Sequence, residues 1–161
     1  MRRGIEPYIG LFSSCAKNLF LKKDLVILNI GVNKAHGDRA FIKGLDLRNI
    51  DGGKGHLYSM DINDCSHQIR GNDNWTFILG DSKKVGWDKS IDILFIDGDH
   101  TYLGCKGDYE KYEPFVVSGG LIFIHDILQP KSGAREYFEE ITQPKIKLCL
   151  NNQGLGMIRK I

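Results

Sequence analysis

The chain has 161 residues, the size of one ordinary core, and its 42% hydrophobic and 26% charged residues exclude a disordered polymer. With 22 basic residues against 20 acidic ones the formal net charge is +2, without the basic excess that nucleic-acid binding shows. No apolar run approaches the ~20 residues a membrane span needs, and Glu6 and Pro7 interrupt the stretch a lipoprotein signal would keep apolar between Arg2-Arg3 and Cys15.

In chain order, residues 1–24 read as a short N-terminal helical segment that opens a single domain spanning 1–161, with no repeat or linker to divide it. Apolar runs follow at Leu25–Gly31, His56–Asp61, Trp75–Leu79, Ile91–Asp97 and Leu121–His125. They are near-continuous rather than alternating, as strands buried on both faces must be. Helix-like stretches lie between them, at Gly37–Leu45, Asp64–Arg70, Thr101–Phe115 and Gly133–Thr142, the third weakened by Gly104 and Gly107. Two last runs, Lys147–Asn151 and Leu155–Lys160, flank Asn152-Gln153-Gly154 and predict an antiparallel hairpin, a candidate edge for a homodimer. Lys22-Lys23 and Lys83-Lys84 read as solvated surface, and Trp75 and Trp87 as packing residues. Cys15, Cys65, Cys105 and Cys149 form no C-x-x-C pair, which suits free thiols in a reducing cytoplasm.

Alternating strands and helices build βαβ units, hence an open, doubly wound parallel sheet whose ligands sit beyond the carboxyl ends of the strands. Chemistry-bearing residues therefore belong at the ends of the runs, and they cluster there. The first run ends Asn29-Ile30-Gly31-Val32-Asn33, where Gly31 lets backbone approach a ligand but no G-x-G-x-x-G follows, against a nicotinamide-dependent oxidoreductase. The second ends in Asp61-Ile62-Asn63: Asp61 suits the hydroxyls of a ribose, or a helix cap. The third ends Gly80-Asp81-Ser82, an adenine-edge partner or again a cap. The fourth emerges as Asp97-Gly98-Asp99-His100, and the fifth as His125-Asp126. If these two strands are neighbours, their ends lie ~4.8 Å apart. Asp97 and Asp126 can then share a hard cation such as Mg²⁺. Zinc or iron lacks the H-x-H or H-x-x-x-H spacing that would support it.

Taken in order, Leu28-Asn29-Ile30-Gly31-Val32, Asp61, Gly80-Asp81-Ser82, Phe95-Ile96-Asp97-Gly98-Asp99-His100-Thr101-Tyr102 and Gly119-Gly120-Leu121-Ile122-Phe123-Ile124-His125-Asp126 resemble class I S-adenosylmethionine-dependent methyltransferases. The branch is that of macrocin-type O-methyltransferases and cephalosporin-hydroxylase-like proteins. The resemblance implies a Rossmann-like α/β fold with a seven-stranded sheet in the order 3-2-1-4-5-7-6, strand seven antiparallel. It implies a cofactor, S-adenosylmethionine, held by Asn29, Gly31, Asn33, Asp61, Ile62, Gly80, Asp81, Ser82 and Asp97. It further implies Mg²⁺ on Asp97 and Asp126, a base at Asp99 or His100, and a small-molecule or saccharide hydroxyl as acceptor, with no nucleic acid or membrane as partner.

Three departures from that family stand out. Asn29 occupies a position where Glu or Asp is usual, which removes a charge partner for the cofactor's ammonium. Ala35 and His36 replace glycines of the loop, and only about 24 residues precede the first strand. The alternatives are a non-catalytic cofactor-binding or regulatory module on the same fold, or a cephalosporin-hydroxylase-like enzyme.

Overall fold

The computed structural model describes residues 4–20 and 24–161; Lys22-Lys23 lie outside these residues. The strands are β1 (Leu25–Ile30), β2 (Gly55–Asp61), β3 (Trp75–Leu79), β4 (Ile91–Ile96), β5 (Val116–His125), β6 (Lys145–Leu148) and β7 (Leu155–Arg159). The helices are α1 (Ile9–Asn18), α2 (His36–Ile50), α3 (Tyr102–Tyr112) and α4 (Gly133–Glu140). One sheet orders the strands β3-β2-β1-β4-β5-β7-β6. Pairing is parallel from β3 through to β5, and β7 runs antiparallel to both β5 and β6.

The strands' uniform apolarity is explained by helices on both faces. On one face Ile27, Leu57, Phe95 and Phe123 meet α1 and α2 through Phe12 and Phe41. The Phe12 ring lies 4.8 Å from Phe41, 4.9 Å from Phe95 and 5.3 Å from Phe123. The other face, with Leu28, Ile96 and Ile124, packs on Tyr109 and Tyr112 of α3 and Phe138 of α4. Each such buried side chain contributes about 1.5–3 kcal/mol relative to exposure. Arg48, 1% exposed, closes the base: its guanidinium donates to the carbonyls of Lys17, Leu19, Phe20 and Lys54, tying the end of α1 to the start of β2.

Several elements differ from the sequence expectation. No α-helix covers Asp64–Arg70, only a 3-10 turn at Ser66–Gln68, because the Asp64 carboxylate accepts from the Ser66 N–H and competes with a helical turn. β3 is half-exposed, an edge strand rather than one buried on both faces. β5 begins five residues early at Val116, running through a register irregularity against β4. β6 sits earlier than predicted because the Asn151 side chain leaves the strand to accept from the N–H groups of Gln153 and Gly154, capping the hairpin turn. The four cysteines are free, and no helix among the described residues is long and apolar enough to cross a membrane. Lys84 is exposed, and Lys83 bonds Asp99.

Candidate active site

At the carboxyl edge of the central strands a cleft opens in two lobes, of about 480 Å³ and 400 Å³, both bordered by Gly31, Asn33, Asp97 and His100. That size suits a small-molecule ligand. The lobes meet where β1 and β4 end side by side. The Asp97 N–H donates to the Ile30 carbonyl, and Gly31 adopts φ +92 with its N–H on the Met60 carbonyl. A Cβ there would stand 2.3 Å from the Asp97 carbonyl oxygen, so only glycine fits.

Asp61, Ile62, Gly80, Asp81 and Ser82 border the larger lobe together. Asp61 accepts from the backbone N–H of Val32 at 2.8 Å, of Asn33 at 3.3 Å and of Asn63 at 2.9 Å. Partial burial opposes its ionisation, but these bonds win and hold its carboxyl below the usual range. It therefore both shapes the Gly31 loop and faces the cleft. Ile62 is exposed at the rim. Asp81 caps no helix, since none follows β3 before β4; it accepts from the Lys83 N–H in a turn, with Lys84 beside it. The Ser82 hydroxyl donates to Asp108, another residue of the same wall.

The second group lies where β4 and β5 end. Their register places Ile96 beside Ile124, so the next residues emerge together. Asp126 takes a left-handed φ of 63. One ligand atom each from Asp97, His100 and Asp126 lies within 4.8 Å of the others. His100 Nδ1 is 3.1 Å from Asp126 Oδ2, while Asp126 Oδ1 accepts from the side-chain amides of Gln129 and Gln153. Behind them His125, 3% exposed, places Nδ1 2.8 Å from Asp97 Oδ1. Burial works against its protonation. The hydrogen bond and charge of Asp97, the charge of Asp126 and the Gly4 backbone outweigh that and raise its pKa. Asp99 stands apart: its carboxylate accepts from the Thr101 N–H and pairs with Lys83 at 3.3 Å, folded over Gly104 of α3. Of the two predicted bases, the geometry brings His100 into the acidic cluster and leaves Asp99 outside it.

The smaller lobe is walled by the N-terminal segment. Gly4 is clamped by Gln153 and by the Asn151 amide, and Ile5 and Glu6 follow it along the wall. Its floor holds Asn29, 1% exposed, and Asp38, 1% exposed, in the first turn of α2. Asn29 Nδ2 donates to Asp38 Oδ1 at 2.9 Å, and the Ser59 hydroxyl, itself accepting from Trp75 Nε1, donates to the same oxygen at 2.5 Å. Burial pushes the Asp38 carboxyl above the usual range against the pull of these bonds. Asp38 escaped sequence reasoning because an acid in a helix's first turn reads as a surface charge favouring the helix dipole. His125 was legible as the imidazole at the end of the fifth strand, but its bond to Asp97 was not. A carboxylate and an imidazole at successive strand ends were the available signal for both its partners.

Residues 28–127 match a family described as a methyltransferase domain. A Sinorhizobium fredii protein, y4gI, is 31% identical over 74 residues, which is 44% of this chain and only 8% of that protein's length. Among solved structures, a Staphylococcus aureus protein described as a caffeoyl-CoA O-methyltransferase aligns with a TM-score of 0.74 at 17% identity, over 99% of this chain and 86% of its own. MycE, a methyltransferase of the mycinamycin biosynthetic pathway solved with Mg, SAH and mycinamycin VI, aligns at 0.63 and 19% identity, over 97% of this chain and 49% of its own. At these identities the structures speak for the shared fold.

Proposed function

The chain belongs to the methyltransferase-domain family, within class I of the S-adenosylmethionine-dependent methyltransferases, and we propose on that footing that it methylates a hydroxyl of a small molecule or saccharide with the help of a divalent cation. The observation that carries this reading is the convergence of Asp97, His100 and Asp126 beside a cleft bordered by Gly31, Asp61 and Asp81.

The residues fit both groups. For the methyl donor, the Gly31 backbone leaves the cleft open at the junction of the lobes, Asp61 faces the larger lobe with ribose-binding capacity, and Asn29 Oδ1 is a buried acceptor without a hydrogen-bond partner in the smaller one. For the cation, the two carboxylates of the cluster suit Mg²⁺ or Mn²⁺ completed by water and acceptor oxygens. When bound, such a cation lowers the pKa of a coordinated hydroxyl. Asp97 and Asp126 would hold it. His125 fixes Asp97 from behind, and Gln129 and Gln153 fix Asp126. With Nδ1 turned to Asp126, His100 keeps Nε2 for the proton the acceptor releases. The protein's remaining task is to align oxygen, methyl and sulfur for in-line displacement.

Calorimetric titration tests the reading. Wild type should bind S-adenosylmethionine saturably, and Asp61→Ala should weaken that binding at least tenfold. A Mg²⁺ or Mn²⁺ isotherm should be present in wild type and lost in Asp97→Asn. Absence of any cofactor binding at millimolar concentration would overturn the proposal.

A further inference from the structure

Two acceptors on the floor of the smaller lobe lack the donor their surroundings demand. Asp38 is buried, yet its side-chain partners are two neutral donors, Asn29 and Ser59, and both engage Oδ1. Arg39, the cation whose charge reaches it, directs its guanidinium to the carbonyls of Lys34 and Gln68. Asn29 must turn its amide nitrogen to the carboxylate, since an ionised carboxylate only accepts. That orientation leaves Asn29 Oδ1 aimed away from Asp38, buried and without a partner. A buried charge without a counter-charge and a buried carbonyl without a donor are each costly, and together they describe a site for something positive that donates hydrogen bonds.

We propose that Asp38 and Asn29 form the receptor for the α-ammonium of the methyl donor's amino-acid end, with the carboxylate displaced from the strand end to the first turn of α2. This rests on the S-adenosylmethionine reading above. An ammonium fits better than a metal ion, because it brings three donors to a floor whose acceptors are one carboxylate and one amide oxygen. A hard cation would ask for about six oxygens, which the floor does not supply. The location agrees: both residues border the lobe next to Gly31, on the far side of the junction from Asp61. The Trp75–Ser59–Asp38–Asn29 chain of hydrogen bonds holds the carboxylate in place before any ligand arrives. The loss of an acid at position 29 is thus offset nine residues later.

The test is calorimetry on the full chain with two probes, S-adenosylmethionine and its analogue carrying hydrogen in place of the α-amino group. Asp38→Asn keeps an oxygen to accept from Asn29 and Ser59, and thermal melting checks that it folds. The variant should bind S-adenosylmethionine roughly tenfold to a hundredfold more weakly, the range of one charge-assisted hydrogen bond. It should bind the deaminated analogue within about twofold of wild type, since that analogue makes no charge contact to lose. The swapped pair Asn29→Asp with Asp38→Asn returns one carboxylate and one amide to the same floor and should recover most of the affinity. Equal loss for both probes, no loss for either, or no recovery in the swap would overturn the assignment while leaving the cofactor reading standing. A wild type that binds neither probe would remove both.

Discussion

Gly31→Ala is the substitution whose cost the structure resolves into two separable parts. The first is backbone strain: φ is +92, and an L side chain in that region costs about 1–2 kcal/mol. The second is collision. A Cβ would lie 2.3 Å from the Asp97 carbonyl oxygen, 2.5 Å from its carbon and 2.7 Å from the Gly98 nitrogen. All three are backbone atoms, which cannot rotate aside, so β4 must move at an overpacking cost of about 1–3 kcal/mol. Gly52→Ala supplies the control, for its φ is +83 and its Cβ would meet nothing within 4 Å. Urea denaturation should therefore show a loss of about 1–2 kcal/mol for Gly52→Ala and about 2–5 kcal/mol for Gly31→Ala. In thermal melts each kcal/mol corresponds to roughly 2–4 °C for a domain of this size. The backbone displaced is that of Asp97, so Gly31→Ala should also weaken Mg²⁺ binding, whereas Gly52→Ala should not. Equal losses in the two variants would refute the contact argument and reduce Gly31 to an ordinary turn residue.

Arg48→Met keeps the apolar volume but strips the donors from the carbonyls of Lys17, Leu19, Phe20 and Lys54. The expected loss is about 3–5 kcal/mol in urea titration, a large share of a typical margin of about 5–15, and a loss below 1 would contradict the tie it makes. Asp38→Asn should instead stabilise the ligand-free protein at neutral pH. The folded pKa of Asp38 lies above its ordinary 3.8, so the folded state holds its proton longer than the unfolded one. Stability then falls as pH rises from the unfolded value through the folded one, and the variant escapes this loss. Its advantage over wild type, measured by denaturation at a series of pH values, should grow from pH 3 upward and then level; a constant difference would mean that Asp38 is not carrying a buried charge.

The order of strands and the address of the site were legible because one physical constraint governs both. A sheet covered on both faces tolerates few polar side chains along its strands, so Ile91–Ile96 is buried throughout, its one carboxylate, Asp92, accepts from the Val26 N–H, and the carboxylate that reaches the cleft is Asp97, where the strand ends. The same reasoning located Asp61, His125 and Asp126. Asp99 and His100 show where it stops. They follow the same strand by three and four residues, and nothing in their spacing says that one folds over Gly104 of α3, whose cap is Thr101, while the other swings into the acidic cluster. That choice is made by Lys83 and the Thr101 N–H on one side and Asp126 on the other. Local competition also decided Asp64–Arg70, where one side-chain bond stands in place of the first turn of a helix. Asp38 is a different kind of omission. Its residue type and position suit a solvated first turn, and its role appears only when β2 supplies Ser59, β3 supplies Trp75 and β1 supplies Asn29 from three non-adjacent segments of chain. Asn29 taken alone reads as a lost charge. Set against Asp38 it is the half of a pair that orients the other, because its amide can satisfy the buried carboxylate only by turning its own oxygen away from it, which leaves that oxygen buried without a partner.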